Sequence, residues 1–233
     1  MVVVVYQQAL VLPARDDAAA EHATDGRTYL VAVTVAVRHS SGAEGGYQVR
    51  TQRRTVINKA YDPLYDGTHE TIGETVKAGE SIASAVVRGV AEELGYKGGN
   101  LAILGSEDAA VVSTHEVDPV YMIGAPYCFV QQLGPPQPWT GLGFVALLPR
   151  SATPKQLHLD EKGEVGDSTW WEPAELMQLL QSQPEQFMGF HYPVLKKVSE
   201  DLVAGTLQPK LAAAATAEKL LLPSKLASRD GRS

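Results

Sequence analysis

Hydrophobic and polar residues alternate in short runs along the first two thirds of the chain, which is the pattern of β-strands. The runs are rich in Val, Ile, Tyr and Thr, and segments rich in Gly, Ser, Asp and Pro separate them. These runs predict strands at residues 2–12, 29–38, 47–54, 101–113, 121–132 and 141–149.

Apolar residues recur with helical spacing at three other places. The clearest is 81–94, and a second helix opens at 171–180, where Pro173 suits the first turn. A third helix is predicted over "YPVLKKVSEDLV", whose Val194, Leu195, Val198 and Leu202 share one face. The order of strands, a helix, more strands and then helices predicts an α+β fold with a mixed sheet between helical layers.

The amino-acid composition of the chain changes after Gly205. We expect one domain at 1–205 and an Ala- and Lys-rich tail at 206–233, which has five basic and two acidic residues. The tail is either flexible or a segment that docks on a protein partner or on the acidic body.

Composition limits the classes of function. The net charge of −7 argues against non-specific attraction to nucleic acid or to an anionic membrane. The single cysteine, Cys128, excludes an internal disulfide and a cysteine-based zinc site, and predicts the cytoplasm or another reducing intracellular compartment. The N-terminal apolar run has no basic leader and is too short for a membrane span. No membrane association is expected.

The helix at 81–94 has an acidic edge. A helical projection at 100° per residue puts Arg88, Gly89, Glu92 and Glu93 on the arc opposite the core face. Adjacent carboxylates beside a glycine turn can hold Mg²⁺ or Mn²⁺, which prefer oxygen ligands. Acids on an amphipathic helix are also commonly no more than a solvated face, so the helix alone leaves both interpretations open.

The preceding turn adds a specific pattern. Residues 73–96 resemble the signature of the Nudix hydrolases, G-x5-E-x7-R-E-U-x-E-E-x-G-U, where U is aliphatic. Six of its nine fixed positions agree. They are Glu80, Arg88, Val90, Glu92, Glu93 and Gly95. Glu74 stands at the opening glycine, with Gly73 one residue earlier, and Gly89 stands at the glutamate that follows the arginine.

The resemblance covers about residues 29–182 and implies the Nudix fold, an α/β/α sandwich with a mixed sheet. It implies Mg²⁺ (or Mn²⁺) held by Glu92 and Glu93, with Glu161 or Glu164 of a later loop adding a ligand or base. It also implies residues that brace the turn and helix, namely Gly73, Gly79, Glu80, Arg88 and Gly95. Arg53 and Arg54 end a strand near the expected phosphate site and are candidate substrate-binding residues. His69, in the predicted loop before the motif, is interpreted as a surface histidine.

Gly89 removes a carboxylate that is usually a principal metal ligand or base in this family. Glu74 is the nearest replacement in sequence, and Glu70 is another, so Glu92, Glu93 and Glu74 are the candidate catalytic acids. The resemblance then implies a Mg²⁺-dependent hydrolase of a nucleoside diphosphate linked to another group. The alternative is a catalytically degenerate domain that binds a nucleotide, RNA or a protein partner without turnover, as a subunit of a larger assembly. A small nucleotide-like substrate and a homodimer are further expectations.

Overall fold

The computed structural model describes residues 29–40, 46–55, 66–96, 100–105, 109–113, 125–132, 139–150, 152 and 165–221. The strand predicted at 2–12 lies outside these residues. The described strands are β1 (Tyr29–His39), β2 (Tyr47–Arg54), β3 (His69–Glu70), β4 (Ile72–Thr75), β5 (Asn100–Leu104), β6 (Ala109–Ser113), β7 (Cys128–Gln132), β8 (Trp139–Leu147) and β9 (Val165–Trp171). The run predicted at 101–113 is thus two strands, and the strand expected at 121–132 is described from Cys128 onward.

The described residues also form four α-helices. They are α1 (Ile82–Leu94), α2 (Pro173–Ser182), α3 (Tyr192–Val203) and α4 (Gln208–Leu221), and a 3-10 turn, Pro184–Gln186, lies between α2 and α3. Helix α1 begins after Ser81, whose hydroxyl accepts the backbone N–H of Ser84, and ends at Gly95 in the left-handed region, with φ 71°. None of the helices in the described part of the chain combines the length and the apolarity that crossing a bilayer requires.

The strands of the described residues form one mixed sheet, centred on the parallel pair β1 and β8. The other edge of β1 changes partner along its length. Val37, Arg38 and His39 pair with β2, whereas residues 31–34 pair with β4. Strand β2 continues beyond β1 to pair with β3 and β9. Strands β2 and β4 therefore diverge beside β1 and leave an opening that α1 covers.

Alternation along β1 determines which helices lie on each face of the sheet. Its valines at 31, 33, 35 and 37 belong to the core cluster formed with α2, α3 and α4. Ala32 and Ala36 belong to the other cluster, formed with α1. Since successive side chains of a strand point to opposite faces, the "VAVTVAV" run gives α1 a face of small side chains. The resulting α/β/α sandwich with a mixed sheet is the fold that the sequence predicted.

Helix α4 lies beyond residue 205, where the composition placed the domain boundary. Leu207, Leu211 and Ala214 are buried in the same cluster as α2 and α3, and α4 contacts β5, β6 and β8. The first part of the expected tail therefore docks on the body of the chain, because its few large apolar residues recur on one face. Residues after 221 lie outside the described residues.

Two histidines are buried beside the opening between β2 and β4. His69 lies in β3, 4% exposed, with its Nδ1 3.1 Å from the Thr51 hydroxyl. The expectation of a surface histidine at this position was wrong, because β3 pairs with β2 and the ring stacks on Phe187. His191 precedes α3, and its Nδ1 accepts the backbone N–H of Thr71 at 3.1 Å. Burial, helped by nearby arginine charge, lowers the pKa of His69 to about 4 and that of His191 to about 3.

We predict that Leu211→Ala lowers the free energy of unfolding by about 3 kcal/mol, because it leaves a cavity under α4. Val203→Ala is the control, since this residue is 56% exposed near the end of α3, and its change stays within about 0.5 kcal/mol. Urea titration measures both. An equally small effect of Leu211→Ala would show that α4 does not stabilise the domain.

We also predict that the two buried histidines make a contribution to stability that is lost as the pH is lowered below 6.5. Both histidines have folded pKa values below the usual histidine value of about 6.5, so the unfolded chain binds more protons in this range. Their contribution is complete above that pH and is lost as the pH falls, down to about 4 for His69 and about 3 for His191. Each histidine adds a slope of up to about 1.4 kcal/mol per pH unit.

Urea titrations from pH 8 to 5 test this dependence. His191→Gln reduces the slope, whatever its effect on the absolute stability, because Gln does not titrate. Val203→Ala removes no titratable group and keeps the slope of the unmodified protein. An unchanged slope in His191→Gln would contradict the assignment.

Candidate active site

The side chains of β2 form a polar row beside the opening. Arg50, Gln52 and Arg54 alternate along the strand and therefore share one face. The Gln52 amide donates to Glu70 Oε1 at 3.3 Å and also, over a shorter contact, to Glu93 Oε2. One neutral amide thus bridges a carboxylate of β3 and a carboxylate of α1.

Glu93 points from the last turn of α1 into this opening. Besides Gln52, the backbone N–H of Gly73 in β4 donates to Glu93 Oε1 at 3.2 Å. Arg50 donates to the Gln52 side-chain oxygen and, at 3.3 Å, to the backbone carbonyl of Glu93. Burial raises the pKa of Glu93 well above its usual range, and the charge of Glu70 raises it further, while the two hydrogen bonds act in the opposite direction.

Arg88 holds the turn before α1 against the helix. Its Nε and Nη2 donate to the two oxygens of Glu80 at 3.0 Å each, and Nη2 also donates to the Thr75 carbonyl at 2.9 Å. Its Nη1 contacts Glu74 Oε2. Burial by itself lowers the pKa of Arg88, but the hydrogen bonds and charges of Glu80 and Glu74 outweigh it and raise the pKa overall.

Glu80 completes this arrangement from the turn. Its Oε2 also accepts the backbone N–H of Lys77 at 2.9 Å, and Gly79 adopts a left-handed φ of 75° in the same turn. Burial acts to raise the pKa of Glu80, but the hydrogen bonds from Arg88 and Lys77 lower it on balance. The contacts between turn and helix therefore run through the pair Arg88 and Glu80.

Gly89 is buried and faces β4, so its placement on the solvent arc of the helix was wrong. A Cβ atom at this position would lie 2.7 Å from Glu74 Cγ and 2.7 Å from Ile72 Cγ2. Ile72 and Glu74 are two residues apart on β4 and project toward α1. The helical projection missed this contact because it assumed one core direction, whereas β4 packs on a second side of α1.

Glu92 and Glu93 leave the helix in directions about 100° apart. Glu93 contacts β2 and β4, whereas Glu92 lies on the neighbouring part of the last turn and is partly exposed. The structure therefore brings Glu93 together with Glu70 and Glu74. We call Glu70, Glu74 and Glu93 the carboxylate cluster.

The two candidate arginines point in different directions. Arg53 is on the opposite face of β2 from Arg54, near the end of the strand, and donates to the Gly67 carbonyl at 2.7 Å. Arg54 Nη1 lies 3.8 Å from Glu70 Oε2. Its Nε is buried and has no hydrogen-bond partner within the described residues. Arg54 is therefore the arginine that faces the carboxylate cluster.

Arg50 and Gln52 were missed by the sequence analysis, although a signal for them exists. Gln48, Arg50, Gln52 and Arg54 are all polar and all at even positions of β2. A central strand with a continuous polar row on one face calls for partners on that face. Burial lowers the pKa of Arg50 to about 10, against the opposing charges of Glu93 and Glu70.

The cluster offers oxygen donors but not a complete ligand set. No group of three His, Cys, Asp or Glu side chains among the described residues is arranged to hold a metal ion. Glu161 and Glu164, predicted to contribute from a later loop, lie outside the described residues. A surface groove lined by Met177, Gln181 and Val203 lies between α2 and α3, on the far side of the sheet from α1. It does not adjoin the cluster.

Comparison with known proteins agrees with this architecture. The model of the NUDIX domain matches residues 28–198. The chain resembles the structure of a NUDIX hydrolase from Alicyclobacillus acidocaldarius, with 16% identity, a TM-score of 0.51, and 80% of this chain and 96% of that chain covered. At this identity the likeness shows the fold alone. No curated protein matches the chain in sequence.

Two further solved structures are similar at lower TM-scores. One is the NUDIX domain of Shewanella oneidensis NrtR complexed with ADP ribose, with 16% identity, a TM-score of 0.46, and 76% of this chain and 89% of that chain covered. The other is a C. elegans Ap4A hydrolase binary complex, with 15% identity, a TM-score of 0.48, and coverage of 76% and 99%. The domain match spans well over half of the chain and includes the β4–turn–α1 unit, and the chain therefore belongs to the Nudix family.

Proposed function

We propose that the chain is a Nudix hydrolase that cleaves the pyrophosphate bond of a nucleoside diphosphate linked to another group, with Mg²⁺ or Mn²⁺. The observation that carries this proposal is the carboxylate cluster beside Arg54. Glu93 is held by neutral donors next to Glu70 and Glu74, so negative charge accumulates where β2 and β4 diverge. A cation would relieve that repulsion.

The donor set fits a hard divalent cation. Carboxylate oxygens are the preferred protein ligands of Mg²⁺, which keeps several waters and takes one or two carboxylates together with substrate phosphates. A full cage of three side chains is therefore not required of the described residues. Glu93 is the central ligand in this proposal, and Glu92 and Glu164 are the further predicted ligands. When bound, the ion supplies charge neutralisation and a water of lowered pKa.

The remaining residues position the substrate and the helix. The Arg54 Nε–H is a buried donor without a partner among the described residues, and an unmade hydrogen bond is costly. A phosphate oxygen of the substrate satisfies it, and the guanidinium charge favours the same ligand. Arg88 and Glu80 fix α1 to the turn, so that Glu93 keeps its direction. Hydrolysis then adds water to phosphorus, breaks the bridging P–O bond and releases a proton.

A second candidate function is binding without turnover. It is favoured by the lack of any side chain at Gly89 and by the contact of Glu74 with Arg88, which engages the nearest replacement carboxylate. In that case a nucleotide, RNA or protein ligand would bind at the same cluster and leave unchanged.

We predict turnover by the purified protein with Mg²⁺ or Mn²⁺ on at least one member of a panel. The panel contains ADP-ribose, dinucleoside polyphosphates, NADH, capped RNA and nucleoside triphosphates. Glu93→Gln reduces kcat by at least about 100-fold, because it removes the central charge of the cluster. Phosphate release or nucleotide chromatography measures the rates.

Glu175→Gln is the matched control, because Glu175 is exposed on α2 across the sheet from α1, and it keeps the rate of the unmodified protein. Turnover that survives Glu93→Gln would remove Glu93 from the proposed site. An inactive protein that still binds one of the nucleotides would favour the second candidate function.

A further inference from the structure

Two departures from the family motif touch each other in space. Glu74 stands where the motif has its opening glycine, and Gly89 stands where the motif has a glutamate. They lie on different elements, β4 and α1, and the Cβ position of residue 89 is 2.7 Å from Glu74 Cγ. A side chain at 89 and the observed Glu74 side chain cannot occupy this space together.

The space in question lies beside Glu93. Residues 89 and 93 are four apart and share one face of α1. The residue before Glu74 on β4, Gly73, donates its N–H to Glu93. The Glu74 side chain therefore lies between β4 and α1, one helical turn before Glu93. A side chain at position 89 would project into the same space.

We propose that Glu74 and Gly89 are a reciprocal exchange, in which β4 rather than α1 delivers the carboxylate that acts together with Glu93. This inference rests on the proposed function for its chemistry and on the close approach at Gly89 for its geometry. Gly89 on α1 leaves open the space that the Glu74 side chain of β4 occupies. Glu74 is then a functional residue of the cluster, and its contact with Arg88 sets its direction.

The exchange explains why Gly89 is not a simple loss. A glycine in the middle of a helix weakens the helix relative to alanine. Here it is the residue that fits against Glu74 and Ile72. It also follows that Gly89→Glu alone does not restore a family-like site, because the new side chain collides with Glu74.

The test is a double-substitution cycle on the full chain with Gly89→Glu, Glu74→Gly and the pair Glu74→Gly/Gly89→Glu. The first readout is Tm without metal. Gly89→Glu lowers Tm by about 5 °C through overpacking, as does Gly89→Ala, the matched control without a charge. The pair recovers roughly half of the Gly89→Glu loss or more, because Glu74→Gly frees the space. If the Tm shift of the double variant equals the sum of the shifts of Glu74→Gly and Gly89→Glu, the two positions are not coupled and the exchange is overturned.

The second readout is Mn²⁺ affinity, with kcat where turnover is found. Glu74→Gln weakens Mn²⁺ binding about tenfold, and the pair Glu74→Gly/Gly89→Glu binds Mn²⁺ nearly as tightly as the unmodified protein. The functional part of the inference is overturned if the double variant recovers its Tm but binds Mn²⁺ as weakly as Glu74→Gln does. It is also overturned if the unmodified protein shows no measurable Mn²⁺ binding. If only the proposed hydrolysis is wrong, the protein shows no turnover, while the Tm coupling and the Mn²⁺ affinities follow the expectations above.

Discussion

The close contact between β4 and α1 at Gly89 sets the position of the acidic side chains in this protein. With no side chain on the helix at that point, Ile72 and Glu74 lie directly against the α1 backbone. Arg88, one residue earlier, reaches Glu74, Glu80 and the carbonyl of Thr75. Glu93, one turn later, reaches the backbone N–H of Gly73. A wider separation of the two elements would break the contacts of Arg88 with Glu74 and Thr75 and that of Glu93 with Gly73.

In the described part of the chain, arginine side chains contact Glu70 and Glu74 in the cluster but not the carboxylate of Glu93. This difference makes Glu93 the carboxylate from which the proposed chemistry follows. Arg88 is engaged with Glu74 and Glu80, and Arg54 lies at the outer limit of an ion pair with Glu70. Arg50 points to the Gln52 oxygen and to the backbone carbonyl of Glu93 rather than to its carboxylate. The Glu93 carboxylate is thus held by an amide and a backbone N–H, which orient it without cancelling its charge.

The sequence predicted the longer elements well where their local patterns are strong, but it did not predict β3, β4 or β9 as strands. Strand β2 has the predicted bounds, and α1 lies within one residue of its predicted start. The docking of α4 was harder to predict, since its Ala-rich stretch is weakly amphipathic and its burial depends on Leu207 and Leu211 meeting the sheet. The divided pairing of β1 is a long-range property, and it determines where β2 and β4 diverge.

The candidate site was predictable only in part, for a related reason. The motif identified Glu93, Arg88 and Glu80 by spacing, but it could not show that Glu74 and Gly89 touch, because they come from different elements. Arg50 and Gln52 belong to a strand remote in sequence from the motif. Only the polar alternation of β2 pointed to them, and that pattern does not say which element lies opposite.

The two sides of β4 show why the site tolerates so many buried polar groups. A Cβ atom at Gly73 would lie 2.8 Å from the His191 ring, while the next residue, Glu74, covers Gly89 on the other face. Both layers of the sandwich therefore approach this strand closely, and its backbone is fixed between a neutral histidine and a helix. The Gly73 N–H that binds Glu93 is held in place by that packing rather than by flexible side chains. Rigid backbone donors of this kind orient a carboxylate at low entropic cost, which is the preorganisation that a metal- or phosphate-binding site requires.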